Sequence, residues 1–397
     1  MLNIIISLFL GILLGLISGI VPSLHINLVT IIVLSLLKSQ NIIDLLTLIV
    51  SLSVSNSFFN TIPLTFFSIP DSPETSISTN PAQKFTSFGK SYEAFLLTII
   101  GSISSLITFL IFSPLILYVY PTLFSFIKPS TSLLLLLVVL FTLIKEKTSR
   151  IWALISFLFS GLLGIFTLTS YNIKEPLLPL LSGLFAIPSM LSNLKNKEER
   201  TEQKITQPEI NKFRLIKLNF LSLLCSLFST FLPAVGPSQS AVLASSITKI
   251  SLSESLILTG SLTTLNILFS LITLKTINKS RNGSLESLKD IIPKFSSNEL
   301  IFSIIISIIV AGISAALAIY FARKFIKNIK SLKLDYLNKF FILLTLILVL
   351  IISKPIGILV MLTGTAIGFI PIFKNISRNH LMGCIILPVI FYTLKIL

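Results

Sequence analysis

Ser18-Gly19-Ile20-Val21-Pro22-Ser23-Leu24-His25-Ile26-Asn27 and Ser229-Thr230-Phe231-Leu232-Pro233-Ala234-Val235-Gly236-Pro237-Ser238-Gln239-Ser240 are the two stretches whose reading decides this fold. Each interrupts a long apolar run. A proline removes a backbone donor and clashes with the preceding turn, so the helix ends there. The residues after it begin a second helical piece, whose unpaired N–H groups and positive dipole end point into the break. In hydrocarbon such groups are costly unless the break is buried in protein or lines a cavity. Two breaks of the same kind in one chain point to a shared site.

The surrounding composition places those breaks in a membrane. Mean hydropathy is +0.96; 53% of residues are hydrophobic and 12% charged. Apolar runs of about 20 residues, enough to cross a bilayer at 1.5 Å per residue, recur from end to end. A soluble core is excluded, and the first stretch, with no basic leader, is expected to be a span rather than a cleaved signal. The net charge of +16 is no nucleic-acid signature, because Lys and Arg sit in short loops between spans, as membrane topology requires. Cys225 and Cys384 lie in apolar segments and are expected to be buried thiols. His25 and His380 are the only histidines. No metal cluster is expected, and no cofactor.

The apolar segments are 3–37 (broken), 42–69, 94–120, 131–144, 151–170 and 176–194, then 215–248 (broken), 255–275, 299–322, 340–353, 355–373 and 380–396. Six elements stand on either side of one charged linker, which predicts a duplication. At a spacing of 210, Asp44 meets Glu254, Asn56 meets Asn266 and Asn60 meets Ser270. At a spacing of 200, Gly164 meets Gly364, Gly183 meets Gly383 and Pro188 meets Pro388. The expected fold is an all-α integral membrane protein of two inverted repeats, each opened by a Pro-broken helical hairpin. Residues 1–194 form the N-terminal repeat, 195–212 a polar cytoplasmic linker and 213–397 the C-terminal repeat. Charge supports this topology: with the linker in the cytoplasm, the loops on its side carry about two basic residues for each one opposite, the sense set by the positive-inside rule. Both termini then lie outside.

Paired half-helix ends near the midplane suit a carboxylate or phosphate. Ser23, His25, Asn27, Gly236, Ser238, Gln239 and Ser240 flank the prolines Pro22, Pro233 and Pro237 and are the candidate binding residues. Asn56 and Asn266 are candidates to line the site behind them; amides in a span serve equally well to tie helices together. His25 reads either as a cap on loose backbone or as a substrate contact, and His380 as structural. Asp44, Glu93, Glu254 and Glu299 all open apolar segments, where they complement helix N-termini. No interior carboxylate array marks a proton relay. Coupling by Na⁺ and by H⁺ both stay open, and no residue pair is spaced for catalysis.

The chain resembles the large permease subunit of tripartite tricarboxylate transporters, the TctA-like family, in its archaeal branch. The resemblance rests on Gly15-x-x-Ser18-Gly19-x-x-Pro22-x-x-His25-x-Asn27, Pro70-Asp71-x-x-Glu74-Thr75 leading to Tyr92-Glu93-Ala94, and Leu180-Leu181-Ser182-Gly183-Leu184-Phe185 with Pro188. It also rests on Leu232-Pro233-x-x-Gly236-Pro237-x-Gln239-x-Ala241, Lys279-x-Arg281-x-Gly283, and Ala366-Ile367-Gly368-x-x-Pro371 followed by Arg378-x-His380-Leu381-Met382-Gly383-Cys384. Family members carry glycine directly after each break proline, whereas this chain has Ser23 and Ala234. The resemblance implies secondary transport of an organic anion, in some members with a small membrane subunit and an extracytoplasmic binding protein.

The reading is therefore a multi-pass cell-membrane transporter for a carboxylate-type solute, working by alternating access and catalysing no reaction. The alternative is a translocase for a polyprenyl-phosphate lipid carrier. Expected partners are membrane lipids, the anionic solute or lipid phosphate, the two accessory subunits and a second copy in a homodimer; nucleic acid is not among them.

Overall fold

The computed structural model describes residues 2–22, 24–37, 41–69, 78–195, 201–328 and 334–394. Helices supply all the regular secondary structure of these residues. In chain order they are α1 (Leu2–Ile20), α2 (Ile26–Leu36), α3 (Ile42–Phe59), α4 (Thr61–Phe67), α5 (Thr79–Ser87), α6 (Ser91–Ile127), α7 (Thr131–Lys145), α8 (Arg150–Thr169), α9 (Leu177–Lys195), α10 (Lys212–Phe231), α11 (Pro237–Ile247), α12 (Leu252–Ile277), α13 (Gly283–Glu286), α14 (Ser297–Asn328), α15 (Leu334–Lys374) and α16 (Gly383–Thr393). Nine helical stretches among the described residues are long and apolar enough to cross a membrane. The chain is an all-α, multi-pass membrane protein.

Local chemistry sets the boundaries. Glu254 and Ser251 exchange capping hydrogen bonds at the start of α12, and Glu299 accepts from the Ser296 amide before α14. Both carboxylates thus act at helix N-termini, as the sequence suggests. α15 is interrupted at Lys354, which has φ 60° and ψ −174°. Pro355 disfavours a helical residue before it, so the apolar run divides into 334–353 and 355–374. Cys225 and Cys384 are buried, free thiols.

The broken segments are less symmetric internally than the sequence implies, but they match each other closely. α1 has 19 residues and α10 has 20, and five residues separate each from an 11-residue half-helix. A helix of 19 residues is about 28 Å long, enough to span alone. The break therefore falls near the end of a span rather than at the tip of two equal arms.

Packing interleaves the two halves. One group joins α1–α6 to α10–α14 around a large apolar core that includes Leu52, Phe58, Phe109, Phe269 and Val310. The other joins α7, α8 and α9 to α15 and α16 around Leu135, Phe157, Leu184, Val360 and Cys384. α12 is buried along the whole of its apolar window and α3 along 89% of its own. They are the central pillars, and they carry Asn266 and Asn56. Residues 201–206 lie along the α5–α6 corner: the Lys204 amide donates to the Gly89 carbonyl at 2.8 Å, and Gln203 Nε2 to the Thr86 carbonyl at 2.8 Å. The polar linker is thus docked at its C-terminal end.

Candidate functional site

The first turn of a helix has no carbonyl four residues back, so its amides need another partner. At α2, His25 is the N-cap, and its Nδ1 accepts from the Asn27 amide at 3.3 Å. At α11, Gln239 folds back so that its Oε1 accepts from the Gly236 amide at 3.0 Å and from Ser238 Oγ at 2.9 Å. Its Nε2 is buried without a partner. Ser240 Oγ donates to the carbonyls of Cys225 (3.3 Å) and Gly236 (3.2 Å), tying α11 to α10.

These two half-helix starts meet at one cavity of about 300 Å³ in the seam between the packing groups. His25, Asn27, Asn56, Gly236, Ser238 and Asn266 all line it; Gln239 and Ser240 turn instead to the backbone of their own hairpin. Ser23 and the Pro70–Thr75 motif lie outside the described residues. Asn56 serves two ends at once, since its Nδ2 donates to Ser18 Oγ at 3.0 Å and pins α3 to α1 while its side chain borders the cavity. The second packing group closes the space with Leu177, Leu181, Met382 and Ile385.

Arg281 is the residue that sequence reasoning left out of the site. It sits in the loop after α12 and, among the described residues, is the one Lys or Arg side chain on the cavity wall. Its Nε donates to the Thr230 carbonyl at 2.6 Å, beside the Tyr120 hydroxyl, which donates to the same oxygen at 3.3 Å. The guanidinium thereby caps the C-terminal end of α10, where a cation is favoured, with the Tyr120 hydroxyl and the Glu286 carboxylate also close to it. The signal was present in Lys279-x-Arg281-x-Gly283, but a loop arginine far from either break in sequence gave no reason to place it there. The same loop is latched to α3 by a 2.7 Å hydrogen bond between Ser53 and Ser284. Asn27 Oδ1 and Asn60 Oδ1 are buried acceptors without partners. Among the described residues no Asp or Glu lines the cavity.

The second break also carries strain. Ala234 has φ 64°, a left-handed conformation that costs an L residue roughly 1–2 kcal/mol and glycine little. Ala234→Gly should raise stability by about 1 kcal/mol, read as a higher melting temperature in detergent. A lower one would show that the turn does not hold this conformation.

A larger vestibule of about 1020 Å³ follows along α11 and the 375–380 segment. Its rim holds Lys145, Lys147, Lys249 and Arg378, the end that charge bias assigns to the cytoplasm. Here Glu146 Oε2 accepts from His380 Nε2 at 3.0 Å and from the Ser377 amide at 2.9 Å. Burial alone pushes the Glu146 carboxyl up, but the Ser377 and Thr148 amides and His380 together hold it below its ordinary 4.5. Burial holds His380 below 6.5 despite the carboxylate. Because the unfolded chain takes up the imidazole proton first, stability falls as pH drops below about 6.5. The Glu146 contribution is present above about 4.5 and is lost at lower pH. The melting temperature should therefore decline from pH 7 to pH 5, with a shallower decline in His380→Gln. Parallel profiles for the two proteins would refute this assignment.

The sequence model of the tripartite tricarboxylate transporter TctA family matches residues 5–383. An uncharacterized protein of Methanocaldococcus jannaschii is 26% identical over the full length of both chains. No solved structure matches.

Proposed function

Because the chain belongs to the tripartite tricarboxylate transporter TctA family, we propose that it is a secondary transporter that holds a small carboxylate between its two broken helices, in contact with Arg281. The observation that carries this reading is the meeting of both half-helix N-termini and one arginine on a cavity of about 300 Å³. That volume is at the lower end of the range for small-molecule sites. First-turn amides of α2 and α11 that His25 and Gln239 do not cap supply oriented donors, Ser238 and the asparagines supply hydrogen bonds, and Arg281 supplies the balancing charge.

The matched build of the two broken segments supports an inverted duplication of 1–194 and 213–397. The seam between the packing groups offers a plane along which alternating access proceeds. For the coupling ion, the described residues offer a proton no carboxylate at the cavity, whereas the orphaned oxygens of Asn27 and Asn60 are suitable ligands for Na⁺. The family's tripartite description supports a small membrane subunit and an extracytoplasmic binding protein as partners.

The test is uptake of radiolabelled di- and tricarboxylates into proteoliposomes, with and without a Na⁺ gradient. Saturable uptake, accelerated by inward Na⁺, is the expected result. Absence of saturable uptake for every carboxylate, with movement of a polyprenyl-phosphate probe between leaflets instead, overturns the solute reading in favour of the lipid one.

A further inference from the structure

We propose that the vestibule is a second anion site, anchored by Arg378, that binds a soluble carboxylate or phosphate in series with the cavity between the breaks. Several of its features go beyond what topology requires. Exposed loop lysines satisfy the positive-inside rule, and Lys145, Lys147 and Lys249 are all exposed. Arg378 is different: it is drawn into the wall of the vestibule, where removing a guanidinium from water is costly.

Arg378 has little there to offset that cost. Its Nη1 donates to Ser189 Oγ at 2.5 Å. No carboxylate pairs with it among the described residues. Among the described residues Glu146 is the only acid on the vestibule wall, and its oxygens are taken by His380 and by the amides of Ser377 and Thr148. Burial brings the Arg378 pKa down to about 10, so it stays charged at neutral pH. The result is a fixed guanidinium with donors to spare, on the wall of a space of about 1020 Å³ whose other unpaired charges, among the described residues, are all positive. That fork matches a carboxylate or phosphate at two points.

The two sites are linked by geometry. α11 lines the inner cavity with Gly236 and Ser238 and the vestibule with Val242, Ser245 and Ser246. Seven residues separate Ser238 from Ser245, about 10 Å along a helix. Likewise Met382 borders one space and His380 the other. Arg281 and Arg378 therefore mark successive positions on one route. Only the onward step to the inner cavity rests on the transport reading; binding in the vestibule does not.

A built-in reporter makes this testable. Trp152 is the only tryptophan, and Lys374 Nζ lies 4.4 Å from its ring centroid, next in sequence to Asn375 on the vestibule wall. The full chain in phosphatidylcholine nanodiscs is titrated with citrate, and separately with inorganic phosphate, at constant ionic strength while Trp152 emission is followed. A saturable change is expected. Arg378→Gln should raise the apparent Kd at least about tenfold, the loss of one charge-assisted contact. Arg378→Lys should raise it severalfold, and if the glutamine variant does not fold, this one carries the test. Arg281→Gln should keep the Trp152 response even where uptake is lost, which separates failure of this site from failure of the transport reading. An unchanged Kd in both Arg378 variants overturns the proposal, as does a Trp152 response that disappears with Arg281→Gln. In discs containing phosphatidylglycerol, a shift caused by the lipid alone, with no response to citrate or phosphate, overturns it in favour of a lipid headgroup.

Discussion

Arg281→Gln is expected to abolish saturable anion uptake while leaving a folded protein. The substitution takes away the only Lys or Arg that the described residues place on the cavity wall. A hydrogen bond to a charged group contributes about 1.5–3 kcal/mol, and leaving a buried charge without its partner costs about 3–5 kcal/mol. The bound anion would then face that cost, so affinity should fall by roughly 10² to 10³. The fold loses far less. Arg281 donates to the Thr230 carbonyl and also hydrogen-bonds with Tyr120, and a glutamine can still reach toward that carbonyl; about 1 kcal/mol is at stake for each bond lost. Arg281→Lys keeps the charge without the two-point fork and should fall between the two. Uptake kinetics and melting temperature, measured on the same preparations, check this. Uptake with an unchanged KM in Arg281→Gln would remove the arginine from the site.

The second large effect is on stability, at the crossing of α6 and α12. Gly260 lies so close to α6 that an added Cβ would stand 1.9 Å from the Thr98 carbonyl oxygen, and the reciprocal Gly101 position is filled by the Ile257 carbonyl at 2.1 Å. Real side chains do not tolerate such contacts, so the two helices must separate. Separation also strains the hydrogen bonds from Ser102 Oγ to the Gly260 carbonyl (3.0 Å) and from Ser261 Oγ to the Gly101 carbonyl (3.1 Å). Overpacking costs about 1–3 kcal/mol, and each lost bond adds about 1 kcal/mol. Gly260→Ala should therefore destabilise by roughly 3 kcal/mol or more. α12 carries Asn266 and Thr263 on the cavity wall, so uptake should drop along with the melting temperature. A wild-type melting temperature in Gly260→Ala would show that the two helices do not cross this closely.

Much of the architecture follows from patterns that any bilayer enforces. Apolar runs of span length, a proline followed by polar residues, and lysines confined to loops are local features, and the helices, the breaks and the charged ends appear where those features place them. Lys354 is a good case: the proline after it ended one apolar run and began another, and the backbone turns there. Other features are set by packing, which has no local signature. Arg281 and Gly283 are distant in sequence from both breaks, and only the return of their loop over α3 brings them to the cavity. Gln239 and Ser240 show the converse. Their polarity beside a break suggested ligand contacts, yet the backbone groups freed by the break are nearer, and their side-chain oxygens turn to those. The interleaving of α7–α9 with α15 and α16 is equally invisible in sequence, because an apolar helix face does not say which neighbour it will meet.

An anion lying between the two broken helices is tested most directly by a structure of the protein with a transported carboxylate bound. The predicted result is ligand density enclosed by His25, Asn27, Gly236 and Ser238, with a carboxylate oxygen within hydrogen-bond distance of the Arg281 guanidinium. Density confined to a lipid-facing crevice, with the space between the breaks unfilled at saturating ligand, would contradict it.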